Sequence, residues 1–278
     1  MFENNCMRIL LTLAILATLT LQAQPAAFKP NQKGNFYCYW GWNKADYTKS
    51  DIHFKGTSYD FTLYDVIAND RQSPFSTKIY LNPKNLTIPQ TNMRLGYYFK
   101  DNYQLSIGVD HMKYVMLSGQ TAEINGTIAN SGTAYDGIYN HQQFVVAPNF
   151  LLFEHTDGLN YLNTEIRRSD VLWEKNKVII SSQFGGGIGA LMPKTNCTLL
   201  NNARNDQFHL AGFGLGIVGA LNLTFYKYFF VQGELKGGYI NMPDIRTTQF
   251  KADRASQHFF FSQYNVSIGF QYPFGKKK

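Results

Sequence analysis

The 278-residue chain carries only 16% charged residues, against about 25% in a typical soluble domain, and as many as 15% aromatic residues. A net charge of +7 suits nucleic acid or anionic lipid, but the sequence has no nucleic-acid-binding motif, so we expect no nucleic-acid partner. We expect a solvated basic surface, with contact to anionic lipid head groups as the second interpretation. The length accommodates one large all-β domain or two smaller ones.

The N-terminus has the pattern of a secretory signal peptide. Arg8 precedes an apolar run at 9–21, and small or polar residues follow at 21–25. The run is shorter than the roughly 20 residues that a membrane-spanning helix needs. We therefore expect residues 1–24 to be a signal peptide and residues 25–278 to be the mature, exported domain. An uncleaved N-terminal anchor is the alternative.

The rest of the sequence offers no second candidate for a membrane-spanning helix. Its most apolar segment, 211–223, holds four glycines and alternates between large apolar and small residues. Only helices and closed barrels satisfy their backbone hydrogen bonds within lipid. A membrane location of this chain therefore predicts a β-barrel.

Alternation of apolar and polar residues predicts strands along most of the chain, because successive side chains of a strand point to opposite faces. Residues 67–89 contain three prolines and are predicted as a loop with one short strand at 78–81. Residues 118–141 are predicted as a long polar loop with room for a small hairpin. Before the last third of the chain, the predicted strands are 36–43, 59–66, 92–100, 103–117, 143–154, 160–173 and 178–192.

The last third of the chain, 208–274, carries the strongest signal, with three long strands joined by one tight turn and one longer loop. One face of each strand is apolar and rich in aromatic residues. The other face is small or polar and carries Glu234 and Lys236 in the middle of a strand. Such strands fit a soluble barrel or sandwich with the apolar face inward, or a membrane barrel with that face outward.

We predict about ten strands, within a range of eight to twelve, because bacterial barrels usually have an even number of strands. The predicted turns at 155–158 and 174–177 conflict, since consecutive turns must lie at opposite ends of a barrel. Either one short connection lies at the outer end, or a strand between 118 and 174 is miscounted.

The signal segment, the two-faced strands and the final Gln271-Tyr272-Pro273-Phe274 resemble the small outer-membrane β-barrels of Gram-negative bacteria. The resemblance covers 36–274, names no specific member, and implies an all-β, antiparallel up-and-down transmembrane β-barrel in the bacterial outer membrane. In that superfamily a terminal aromatic residue helps the barrel-assembly machinery to recognise the last strand. Here four further residues follow Phe274, which departs from that pattern.

Charged residues of both signs occupy positions that are predicted to face the lumen. Charges inside a narrow barrel must be paired or hydrated. We expect a salt-bridged plug, because side chains fill small barrels tightly, with a narrow pore and a ligand pocket as the alternatives. The predicted lumen charge network is Asp60, Arg94, Asp110, Glu165, Arg167, Glu234 and Lys236.

Two runs of alternating glycines leave a part of the predicted lumen wall without side chains. This patch leaves room for a ligand or for large side chains from the opposite wall, and packing relief is the commoner use of such glycines. The glycines are Gly185, Gly187, Gly189, Gly212, Gly214 and Gly216, and the tyrosines that could fill the space are Tyr37, Tyr39, Tyr64 and Tyr98.

The sequence predicts no catalytic, metal or cofactor site. His258 and Ser262 share a strand face, but their separation of about 13 Å is too long for a nucleophile–base hydrogen bond. The segment 214–219 fits the dinucleotide-binding pattern G-x-G-x-x-G, yet the residues after it have the composition of a strand and not of a helix. Cys38 and Cys197 lack zinc-type spacing, and a disulfide between them is left open.

These observations predict a non-enzymatic outer-membrane barrel with a plugged polar lumen, serving binding, limited permeation or envelope integrity. The alternative is an envelope-lipid-modifying barrel enzyme of the acyl hydrolase or transferase type, because a catalytic site can be assembled across strands. A secreted soluble β-sandwich is a third option. The expected partners are outer-membrane lipids and lipopolysaccharide, the barrel-assembly machinery and an unknown ligand, with no cofactor.

Overall fold

The computed structural model describes residues 29–74, 76–80, 90–204 and 207–274, so the predicted signal segment 1–24 lies outside the described residues. Among the described residues, no helix has the length and apolar character that crossing a membrane requires. The elements are β1 (Asn35–Tyr47), β2 (Ser50–Lys55), β3 (Tyr59–Val66), β4 (Ala68–Asn69), α1 (Thr77–Tyr80), β5 (Thr91–Lys100), β6 (Tyr103–Met116), β7 (Thr121–Ile128), β8 (Gly137–Val145), β9 (Leu151–Lys175), β10 (Val178–Leu191), β11 (Asn196–Leu199), β12 (Gly212–Phe225), β13 (Phe229–Arg246) and β14 (Arg254–Pro273).

Eight strands in the described part of the chain close into an antiparallel ring. Their order is β1, β5, β6, β9, β10, β12, β13 and β14, and β14 pairs with β1 from Asn35↔Pro273 to Tyr47↔Phe261. Short turns connect β5 to β6, β9 to β10 and β12 to β13 at one end of the ring, and long connections lie at the other end. Closure leaves the wall without a free strand edge, as the interior of a bilayer requires.

The long wall strands change polarity part-way along their length, and β14 shows this clearly. Near the short turns its outward side chains are apolar, and Tyr264, Val266 and Ile268 are 54%, 56% and 50% exposed, while its inward side chains are polar. Nearer the long connections the inward side chains become apolar, as at Phe259 and Phe261. The change separates a lipid-facing band of about ten residues per strand, the length of a transmembrane β-strand, from a part that stands beyond the band.

Beyond the band, β2, β3, β7 and β8 form a sheet that continues from β14, here called the outer sheet. Its inward apolar residues share one core with the outer parts of the wall strands; Phe61, for example, stacks on Phe54 at 5.3 Å and lies 5.6 Å from Phe150. The thiols of Cys38, in the wall, and of Cys197, buried in this core, are both free. The outer sheet therefore has the apolar-in packing of a soluble domain.

The structure corrects several sequence-based assignments outside the wall. The predicted strand 59–66 is β3 of the outer sheet, and the predicted strand 78–81 is helical over its described residues, in α1. Within the predicted loop 118–141, β7 and the start of β8 form the small hairpin for which the sequence left room. The predicted strands 143–154 and 160–173 yield one wall strand, β9, and the predicted strand 59–66 lies outside the wall. The described wall therefore has eight strands, at the lower end of the predicted range of eight to twelve.

The predicted turn at 155–158 is wrong, because β9 runs without a break through this segment. Its pairing with β6 shifts between Met112 and Tyr114, and Gly158 adopts a φ of 119°. A bulge thus absorbs the residues that resemble a turn in sequence. The conflict with the turn after β9 disappears, because one strand replaces the two that were predicted.

His155 is completely buried in the outer core, and this burial lowers its pKa to about 3. Its Nδ1 lies 3.1 Å from Thr195 Oγ1, and its ring packs 5.1 Å from Phe153. Because the unfolded chain binds a proton near pH 6.5 and the folded chain does not, stability falls as the pH drops below 6.5. We expect a loss of about 2 kcal/mol at pH 5.

Urea unfolding in lipid vesicles at pH 7 and pH 5 checks this prediction. His155→Phe should remove that part of the pH dependence, whereas His258→Gln, at an exposed histidine, should leave it in place. An equal loss of stability in the wild type and in His155→Phe would assign the acid sensitivity to other groups.

Candidate functional site: an ion cluster in the lumen

Charged side chains from β5, β6 and β9, and from β13 across the lumen, meet at one level inside the ring. The strand registers create this level, since Ser106 pairs with Glu165 and Gln104 pairs with Arg167. Each of the charged residues is at most 4% exposed. The lumen cluster, as we call it, consists of Arg94, Asp110, Glu165, Arg167, Glu234 and Lys236.

Glu165 lies at the centre of the lumen cluster and contacts all three of its cations. Its Oε1 lies 2.9 Å from Arg94 Nη2 and 2.7 Å from Lys236 Nζ. Its Oε2 lies 2.5 Å from Arg167 Nη2. One carboxylate therefore ties three wall strands together across the lumen.

The other two carboxylates complete a balanced set of charges. Arg167 Nη1 lies 2.7 Å from Glu234 Oε2, and Lys236 Nζ lies 2.5 Å from Asp110 Oδ2. Three cations thus face three carboxylates. This balance matters because an unpaired charge in a dry interior is far more costly than a pair with complete hydrogen bonding.

Uncharged side chains complete the hydrogen bonding of the lumen cluster. Arg94 donates from Nε to Tyr39 Oη at 3.1 Å and from Nη2 to Asn163 Oδ1 at 2.6 Å. Asn265 donates to Glu234 Oε1 at 2.8 Å. Charge alone does not identify these amides, although their positions in the two-residue alternation place them on the same inward faces.

Asp60 does not belong to the lumen cluster, which corrects its sequence-based assignment. It lies in β3 of the outer sheet, with a side chain 57% exposed, and pairs with His53 at 2.7 Å and Lys55 at 3.6 Å. Tyr64 also lies in β3, whereas Tyr37, Tyr39 and Tyr98 are buried inside the ring. Alternation identifies the two faces of a strand but does not identify the sheet to which the strand belongs.

The glycines of β10 lie beside the cluster residues of β9 and leave space for them. Gly185 pairs with Arg167, and Gly187 pairs with Glu165. A Cβ atom on Gly187 would lie 2.2 Å from the Thr164 carbonyl oxygen and 2.6 Å from Glu165 Cγ. On β12, a Cβ atom on Gly214 would lie 2.9 Å from the ring of Tyr161. The glycine patch is therefore filled by side chains from neighbouring positions.

Gly187→Ala should destabilise the barrel by about 1–3 kcal/mol, because the added methyl group meets backbone that cannot move freely. Gly219 on β12 offers a matched control, since no atom lies within 4 Å of a Cβ placed there. Gly219→Ala should be neutral or slightly stabilising. Denaturant midpoints of the two variants in lipid vesicles compare these effects, and equal midpoints would contradict the packing argument.

The lumen between the cluster and the short turns is nearly filled. It contains a cavity of about 10 Å³, room for about one water molecule. Together with the cluster, this packing fills the described lumen with side chains. The cavity is lined by Asn31, Tyr37, Tyr98, Gln104, Gln183, Asn222, Phe230, Gln232 and Gln271.

Groups that could support other chemistry are dispersed. Among the described residues, no group of three or more His, Cys, Asp or Glu side chains is arranged to hold a metal ion. His258 and Ser262 lie on the outward, exposed face of β14. The glycines of the segment 214–219 lie within β12, without the helix that a dinucleotide site needs.

A closed antiparallel ring with an apolar exterior and a charged interior defines a transmembrane β-barrel of the outer-membrane type. Large exposed side chains, such as Phe213 at 43%, Leu235 at 61% and Phe270 at 52%, form its exterior, as lipid contact requires and as soluble proteins avoid. By the geometry of its wall, the protein is a transmembrane β-barrel.

Solved outer-membrane proteins align with this chain at very low sequence identity. OprG of Pseudomonas aeruginosa aligns with a TM-score of 0.42 and 8% identity, over 88% of this chain and 99% of that one. Outer membrane protein AlkL aligns at 0.40 and 7%, over 92% and 99%, and Ail of Yersinia pestis at 0.32 and 8%, over 87% and 100%. No family model and no curated protein matches the chain. The class of this protein therefore rests on the geometry of its own wall.

Proposed function

We propose that this protein is a non-conducting barrel that anchors the outer sheet at the cell surface, where the sheet binds a ligand. The observation that carries the proposal is the lumen cluster, which is charge-balanced and hydrogen-bonded across the lumen. A plug of this kind favours binding or envelope integrity over permeation.

The outer sheet supplies the binding surface in this proposal. Its last strand in the described chain, β8, pairs with β7 on one side only and contains no charged residue and no proline. Ile138 and Val145 on β8 are 83% and 58% exposed. Natural edge strands usually carry charges, prolines or bulges that prevent pairing. β8 has a bulge at His141, where φ is 45°, but no Asp, Glu, Lys, Arg or Pro, so the stretches on either side of the bulge favour pairing with an extended partner.

Two measurements test the proposal. In planar bilayers the purified protein should produce no discrete conductance steps, and regular steps would reject a plugged lumen. In a Cys38→Ser, Cys197→Ser background, Ile138→Cys should react with a membrane-impermeant maleimide on intact cells. Lys227→Cys, in the turn between β12 and β13, should react only after lysis; the reverse labelling pattern would reject a surface-exposed outer sheet.

Export and assembly are part of the same proposal. Residues 1–24 act in it as the signal peptide. Phe274, 72% exposed after β14 and followed by four further residues, acts in the proposal as the recognition element for the barrel-assembly machinery. Lipopolysaccharide surrounds the long-connection end of the band in the outer leaflet.

A further inference from the structure

Two neighbouring short turns bring basic side chains together at the end of the barrel opposite the outer sheet. The turns follow β9 and β12, and they are adjacent because Val178 pairs with Phe225 and Tyr226 N donates to Lys177 O at 2.7 Å. The turn cluster, as we call it, consists of Lys175, Lys177, Tyr226 and Lys227.

The lysines of the turn cluster have no acidic partner among the described residues. Lys177 Nζ lies 4.9 Å from the centre of the Tyr226 ring, which holds the ammonium group at the surface without neutralising it. Glu174, at the end of β9, is the acidic residue nearest in sequence. One glutamate does not balance three lysines, so the turn cluster keeps an excess of positive charge. By contrast, Arg168 on the outside of β9 is neutralised by Asp170 at 2.7 Å.

The backbone of the second turn adopts a conformation that its residues do not favour. Tyr226 and Lys227 have φ values of 51° and 70°, in the left-handed region where hairpin turns usually place Asn and Gly. Tyr226 is 60% exposed, so packing against the protein does not explain an aromatic residue here. Strained backbone that presents exposed side chains favours a role outside folding.

The turn cluster lies at the level of the lipid head groups. Trp173 and Phe229, 46% and 57% exposed, stand beside it on the wall and belong to the aromatic belt that marks a membrane interface. Lysines at this depth extend their ammonium groups towards lipid phosphates. The charge of the turn cluster therefore matches an anionic head group.

We propose that the turn cluster binds the phosphate of an anionic phospholipid in the leaflet at the short-turn end of the barrel. The lysines supply the charge, and the Tyr226 ring lies against the glycerol and upper acyl region. The proposal depends on the membrane position of the wall and is independent of whether the lumen conducts.

Spin-labelled lipids test this proposal with the full protein in phosphatidylcholine vesicles. The wild type should associate more strongly with labelled phosphatidylglycerol than with labelled phosphatidylcholine, and added salt should weaken the preference. Replacing Lys175, Lys177 and Lys227 by Gln should reduce it by about fivefold for each lysine removed. The matched control replaces the exposed outer lysines Lys49, Lys55 and Lys251 by Gln and should retain it.

A second variant distinguishes a loss of lipid binding from a loss of folding stability. Tyr226→Gly relieves the left-handed backbone, so it should unfold at an equal or higher denaturant concentration while its preference for phosphatidylglycerol falls. No preference in the wild type, or a preference that survives the triple lysine variant, would overturn the proposal. Heat-modifiable gel migration of each variant confirms that a folded barrel is compared.

Discussion

Arg167→Ala should destabilise the folded barrel by about 3–5 kcal/mol, because it leaves two cations to balance three buried carboxylates, and Glu234 loses its close ion pair. Arg167 contacts Glu165 at 2.5 Å and Glu234 at 2.7 Å, and these carboxylates are 3% and 4% exposed. Arg167 also donates from Nη2 to Tyr39 Oη at 3.2 Å. Urea unfolding of the protein in lipid vesicles, followed by its gel migration, measures the loss.

The next residue along β9 provides the control. Arg168 points outward and pairs with Asp170 at 2.7 Å, but the side chains are 57% and 40% exposed. Exposed ion pairs contribute at most about 1 kcal/mol, so Arg168→Ala should leave the unfolding midpoint nearly unchanged. If the two arginine variants lose stability equally, the lumen cluster is not the structural centre of the barrel.

The wall of this barrel is largely predictable from sequence, because lipid and lumen impose a strict two-residue alternation. Both ends of β5, and the start of β6 at Tyr103, lie within one residue of the predicted ends. Glu234 and Lys236 stand out within an apolar strand, and polar residues inside such a strand have a place only on the lumen side. The two-residue alternation, together with the rarity of charged residues in these strands, therefore identifies most residues of the lumen cluster.

The outer sheet is not predictable by the same reasoning. Its strands alternate with the same period of two, but their apolar side chains face a protein core and their polar side chains face solvent. In β3, Phe61 and Leu63 face a protein core, and Asp60 faces solvent. In the wall, the apolar face contacts lipid and the charged face lies in the lumen. A strand of eight residues does not reveal which environment covers its apolar face, so Asp60 was placed in the lumen.

The length of β9 is not predictable from sequence for a different reason. Its 25 residues cross the lipid-facing band and continue into the outer core, and the bulge near Gly158 has the local composition of a turn. Whether such a segment reverses the chain or bends a strand depends on its pairing with β6, which is a long-range contact. Local sequence carries no information on that pairing.

The lumen cluster holds the wall strands together from the inside, as an apolar core does for the outer sheet. Inside the band, the apolar side chains face lipid, so the interior must be filled with polar groups that satisfy one another. At the level of the outer sheet the same strands place Phe259, Phe261 and Ile240 inward. The change in interior chemistry along one strand follows the change in what surrounds the barrel.

Glu234→Ala combined with Lys236→Ala should make the barrel conduct small ions. The double change removes one negative and one positive charge, so the remaining cluster stays balanced. Glu165 keeps Arg94 at 2.9 Å and Arg167 at 2.5 Å. The two truncated side chains leave room for several water molecules of about 30 Å³ each, beside a lumen cavity of about 10 Å³ in the wild type.

Planar-bilayer recordings compare this variant with Glu234→Gln combined with Lys236→Met, which removes the same charges but keeps the volume of the side chains. The alanine pair should give discrete conductance steps, and the Gln/Met pair should remain silent, because filled volume and not charge closes the lumen in that variant. Conductance in both variants would mean that ion pairing alone holds the plug in place. Silence in both would mean that Tyr39, Gln232 and Asn265 close the lumen without the charges of β13.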